Sequence, residues 1–170
     1  MTNTRRLAII RTGIFAGAAG GLAEIAWLTL YAGATGADPA VLARGVTSAA
    51  GVTALLPVAP VAMGIGVHMA LAVMLGIVLA FGWQALSANR PANPYPFMLA
   101  ALAGVWAVNF LVVLPLISPA FVHLVPYAVS LTSKLLFGVA AAEIVRDEAM
   151  FAARGTHLPR ANISADQKSC

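Results

Sequence analysis

Charge is what this sequence lacks. Between Arg44 and Arg90 stand 45 residues without an Asp, Glu, Lys or Arg, and another 43 separate Arg90 from Lys134. A water-soluble domain faces most of its surface to solvent and does not leave such runs uncharged. A bilayer asks for the opposite, because each spanning helix needs about 20 predominantly apolar residues. Cysteine is also scarce. Cys170 has no partner, which excludes an intrachain disulfide, and it has no zinc-ligand company. Soluble-enzyme motifs are missing: there is no G-x-x-x-x-G-K-[ST], G-x-S-x-G, H-E-x-x-H or C-x-x-C. The glycine-rich stretch 13–21 follows no strand, so it is not a dinucleotide loop.

What is present is apolar: 61% of residues are hydrophobic and 9% charged. Inside hydrocarbon, every backbone amide must be satisfied within the protein, which leaves helices or closed barrels. Runs such as 71–81 do not alternate as barrel strands do. The expected fold is therefore an all-α integral membrane protein, with four transmembrane helices in one bundle. The spans fall at about 7–31, 61–86, 97–117 and 121–145 within a single domain over 1–145, and a polar tail occupies 146–170. The apolar pattern after Arg5 and Arg6 is interrupted by Arg11 and continues to Tyr31, too long for a cleaved signal, so it reads as a retained helix.

Prolines punctuate these spans. Pro57 and Pro60 precede the second, Pro91, Pro94 and Pro96 the third, and Pro119 the fourth, where proline is tolerated. Pro115 and Pro126 are expected to kink helix ends. In the outer loop 32–60, Asp38 followed by Pro39 is an N-cap with proline at N1, which predicts a short surface helix over 39–50.

Basic residues orient the chain. Arg5, Arg6, Arg11, Arg90, Arg146, Arg154, Arg160 and Lys168 fall on one side, while the other two loops carry only Arg44. The positive-inside rule then places both termini in the cytoplasm, with a bacterial inner membrane as the expected location. The net charge of +4 therefore serves topology, and no nucleic-acid partner is expected. The tail beyond Gly155 is expected to be disordered.

A shift of 62 residues aligns His68, Ala72, Gly76 and Ala80 with Ser130, Lys134, Gly138 and Ala142, each set on one helix face. The first and third spans align with Glu24 opposite Asn109. The chain thus reads as two tandem helical hairpins of the same orientation, the parallel form of internal repeat. Gly13, Gly17 and Gly21, with Gly20 beside them, form overlapping G-x-x-x-G frames that let backbones approach closely. They predict a seam, either within the bundle or toward a homo-oligomer or other membrane subunit.

The candidate site is an intramembrane polar cluster of Glu24, Asn109, Lys134, Ser130 and His68. Glu24 lies 13 residues beyond Arg11, roughly 20 Å along the axis at 1.5 Å per residue. Lys134 lies 12 residues before Arg146 on a helix running the other way, roughly 18 Å from the same side. Asn109 falls at similar depth. An isolated charge there costs about 2.5–3.5 kcal/mol, so Glu24 and Lys134 are expected to pair, with Asn109 as bridge. His68 shares the face of Ala72 and Gly76 and points at a neighbouring helix. No cofactor is expected; haem or metal would depend on His68 with His123, which differ in height.

The expected function is handling of a proton, ion or small polar solute, more as a transporter than as an enzyme, with a path formed between protomers. The alternatives are a non-catalytic accessory subunit of a larger membrane complex, docked on the glycine ridge, and a haem or redox membrane protein.

Overall fold

The computed structural model describes residues 3–52, 59–87 and 93–155. Among them there is no strand, and four helices are long and apolar enough to cross a membrane. The chain is an all-α integral membrane protein. Its helices are α1 (Asn3–Thr35), the surface helix α2 (Pro39–Ala49), α3 (Pro60–Leu86), α4 (Pro94–Ile117), the short α5 (Pro119–Val122) and α6 (Tyr127–Gly155). Exposed Leu22, Leu30, Met74, Val78 and Leu116 form faces that only hydrocarbon would solvate without penalty.

The helix ends follow local chemistry. Asp38 caps α2, its carboxylate accepting the Ala40 N–H at 2.8 Å, with Pro39 at the first helical position. Asn93 caps α4 by accepting the Tyr95 N–H at 3.1 Å. Gly36, with φ of 72°, ends α1 in the left-handed region that glycine adopts without strain, and the Ala37 N–H closes the turn on the Ala32 carbonyl.

One proline expectation, at Pro126, needs correction together with the start of the fourth span. The fourth span does not begin at residue 121. α5 ends at Val122, and α6 starts after Pro126, whose carbonyl accepts from Val129 and Ser130. Pro126 thus opens the helix rather than kinking it. Pro115 lacks the N–H that would bond to Leu111, and its ring crowds that carbonyl. The chain answers one turn earlier with a π-helical segment, Asn109–Val113, in which Leu114 donates to Asn109.

The spans pack in the order α3, α1, α6, α4. α1 pairs with α3 and α4 with α6, the two hairpins expected from sequence, and α1 meets α6 between them. The glycine ridge is consumed here. A Cβ on Gly13 would lie 2.5 Å from the Ile77 Cα, and one on Gly76 2.5 Å from the Gly17 Cα. Gly20 leaves room for the Phe137 ring, and Gly138 abuts Met98 and Leu99 of α4. The ridge is therefore an internal seam between α1 and α3, not an outward one, because α3 offers glycine and alanine opposite it. α3 and α4, by contrast, barely touch.

α2 is fixed over the end of the bundle where α1 finishes and α3 begins. The buried Thr47 hydroxyl donates to the Pro60 carbonyl at 2.6 Å, and Gly64 lets the Ala43 carbonyl approach α3. At the opposite end, Arg11 pairs with Glu148 at 3.2 Å, Arg146 pairs with Glu143, and the Tyr95 hydroxyl donates to Glu143. Pro57, Arg90, Pro91, His157, Arg160, Lys168 and Cys170, together with the tail beyond Gly155, lie outside the described residues.

Candidate functional site

Glu24 is 1% exposed, on the α1 face that meets α6. Lys134 Nζ stands 2.6 Å from Oε1 and 2.9 Å from Oε2, so the ammonium straddles the carboxylate. Ser133 Oγ reaches the same Oε1 at 3.2 Å and the Ser130 carbonyl at 3.1 Å, sharing its one proton between them. His68, from α3, brings Nε2 to 3.5 Å from Oε2. That approach makes no hydrogen bond, and Nε2 is buried without a partner among the described residues. The pair forms where it does because Gly17, Gly20 and Gly21 draw α3 and α6 close around one turn of α1.

The expected residues separate into two groups. Glu24, Lys134 and His68 come together; His68 meets Glu24 directly, a contact that depth along the helix does not reveal. Asn109 does not bridge the pair, because it sits on α4 across the unsealed seam and its side chain has no hydrogen bond to either charge. Ser133, one residue before Lys134, is the bridge instead. Ser130 is engaged in packing: its Oγ accepts from Trp106 Nε1 at 3.0 Å and donates to the Tyr127 carbonyl at 3.0 Å. Trp106 stacks on Phe110 at 5.9 Å, with Tyr127 edge-on at 6.2 Å. On the other side of Lys134, Trp27 Nε1 donates to the Val129 carbonyl at 3.0 Å, a second bond across the α1–α6 seam. Sequence reasoning did not single out these tryptophans; their signal was an indole N–H at membrane depth, which needs an acceptor.

Two cavities meet at this cluster. One of about 370 Å³ lies beneath α2, between α1 and α3. The other, of about 480 Å³, fills the cleft between α3 and α4 and is lined by Glu24, Asn109, Ser130, Ser133 and Lys134. His68, Leu28, Val46, Phe121 and Val125 form walls of both. Toward the end that carries Arg11 and Arg146 the bundle is solid: Met98, Leu102, Phe137, Ala141 and Ala142 are all 0% exposed. The polar cluster therefore adjoins the cavity beneath α2 and the cleft, while the half toward Arg11 and Arg146 is tightly packed.

Among the described residues, no three or more His, Cys, Asp or Glu side chains gather to hold a metal ion. His123, the other histidine weighed for haem, lies exposed in the turn between α5 and α6. The chain matches no family model, no curated protein and no solved structure.

Proposed function

We propose that this protein is a bacterial-type inner-membrane protein, with both termini in the cytoplasm, whose buried cluster handles a proton or small polar solute. The observation that carries this reading is Glu24, buried against Lys134 yet forming the wall of a cavity with an unpartnered His68 nitrogen beside it. A pair serving only to join helices needs no cavity beside it. Intramembrane ionisable groups that line cavities mark transport pathways.

The geometry supports a route within one chain, rather than between protomers. A proton or solute enters beneath α2, passes His68 and reaches Glu24. A proton taken up on His68 Nε2 finds a carboxylate oxygen 3.5 Å away, and the same proton on Glu24 frees Lys134 to engage a bound solute. The dense inner half then demands a movement of one hairpin against the other for release, the behaviour of repeat-built transporters. The glycine ridge, the docking seam expected under the accessory-subunit alternative, is buried against α3.

Reconstitution into liposomes loaded with a pH-sensitive dye tests the reading. Imposed pH gradients should collapse faster with the protein than without it, and Glu24→Gln should abolish the difference. Gradients that decay as slowly as in protein-free liposomes contradict proton handling.

A further inference from the structure

The cleft between α3 and α4 has a mouth and a polar end, and the two differ in chemistry. Leu71 is 58% exposed, Val105 36% and Ile117 61%, and all three line the cavity. Leu71 and Val105 lie near the middle of their spanning helices and Ile117 at the end of its own, so the mouth faces lipid along most of its length. Its volume of about 480 Å³ falls among small-molecule sites, which run from about 300 to 1,000 Å³. The walls nearest the mouth are apolar; behind them stand Glu24 on α1 and Ser133 and Lys134 on α6, with His68 on α3 and Asn109 on α4.

The charge at that end is balanced. One carboxylate and one ammonium face each other at 2.6 Å, which leaves no surplus for an ionic ligand. Burying a further charge there would meet the full penalty of an ion in hydrocarbon. Two groups remain unused among the described residues: His68 Nε2, buried without a partner, and the Asn109 side chain, which lines the cleft and bonds to none of them. An amide offers both donor and acceptor, and a ring nitrogen one or the other. Together they match a neutral hydroxyl or carbonyl.

We propose that this cleft binds a neutral, bilayer-dissolved amphiphile, its hydroxyl or carbonyl head between Asn109 and His68 and its hydrocarbon tail leaving past Leu71 and Val105. The assignment rests on the reading of the Glu24 cluster as a site and adds to the path beneath α2 a second ligand that reaches the cluster from the lipid.

The test uses the full chain in phosphatidylcholine nanodiscs and a long-chain alcohol carrying a photoactivatable diazirine. Labelling of peptides containing Leu71 and Val105 should saturate. Unlabelled long-chain alcohol should displace it, and the carboxylate of the same chain length should not. Val105→Trp, which fills the mouth, and Asn109→Leu, which removes the amide, should each reduce saturable labelling several-fold. Labelling that rises linearly and is equal on the lipid-facing Met74 and Val78 overturns the proposal, as does displacement by the carboxylate in preference to the alcohol. Saturable labelling in a protein that collapses no pH gradient upholds the ligand site while proton handling fails. Gradient collapse without saturable labelling does the reverse.

Discussion

The seam between α1 and α6 and the seam between α3 and α4 occupy equivalent places in the tandem hairpins, yet they are built in opposite ways. The first is closed by Glu24 and Lys134 at 2.6 Å, with Ser133 and Trp27 adding bonds across or beside it. In the second, the aligned positions are Asn109 and Ala72, and both line an open cleft. Lipid tails are as apolar as the helices, so hydrophobicity does not close a transmembrane seam; close packing and polar pairs do. Where the acid and base stand, the helices meet. Where an amide and a methyl stand instead, a cavity is left.

The largest effect should come from opening the closed seam. Glu24→Ala strands Lys134, and Lys134→Ala strands Glu24, each leaving an uncompensated charge that costs about 2.5–3.5 kcal/mol at mid-membrane. Thermal unfolding in detergent should show both variants markedly destabilised, and an unchanged midpoint for either would mean that the charge reaches water. Next comes the backbone contact that holds α3 to α1. Gly76→Val places methyl groups against Gly13 and Gly17, an overpacking of roughly 1–3 kcal/mol, read as a lower unfolding midpoint. Trp106→Phe removes the indole bond to Ser130 that keeps α4 on α6. The expected loss is about 0.6 kcal/mol, and at most about 1.7, with faster hydrogen exchange in α4 as the readout.

The smallest effect lies outside the membrane. The Ala40 N–H and the Arg44 guanidinium hold the Asp38 carboxyl below its ordinary value of 3.8. Its folded-state value is depressed, so its contribution is complete above 3.8 and is lost as pH falls through the lowered value. Hydrogen exchange in the first turn of α2 should quicken modestly over that acid range and not between neutral pH and 5.

What was legible in the sequence was what depends on distance along the chain. Uncharged runs and prolines placed the spans, Asp38-Pro39 placed α2, and counting from Arg11 and Arg146 brought Glu24 and Lys134 to one level. What depends on rotation about each helix axis was not legible. Asn109 has the right height, but α4 lies beyond α6 and across a gap, so Ser133 takes the bridging role. The glycine ridge announced close packing without saying against which helix. The π-helical turn at Asn109–Val113 follows from Pro115, yet whether a proline kinks, ends or unwinds a helix depends on the space its neighbours leave. Glu143 and Arg146 are neighbours on one turn of α6, but Tyr95 joins them from α4, which no single-helix pattern reveals.

One double variant separates a working acid from a mere counter-charge. Glu24→Gln with Lys134→Met removes both charges at once, so its unfolding midpoint should recover most of what either single change loses. Its liposomes should still fail to dissipate a pH gradient. If gradient collapse returns along with stability, the carboxylate serves only to neutralise its neighbour and the proposed site does no chemistry.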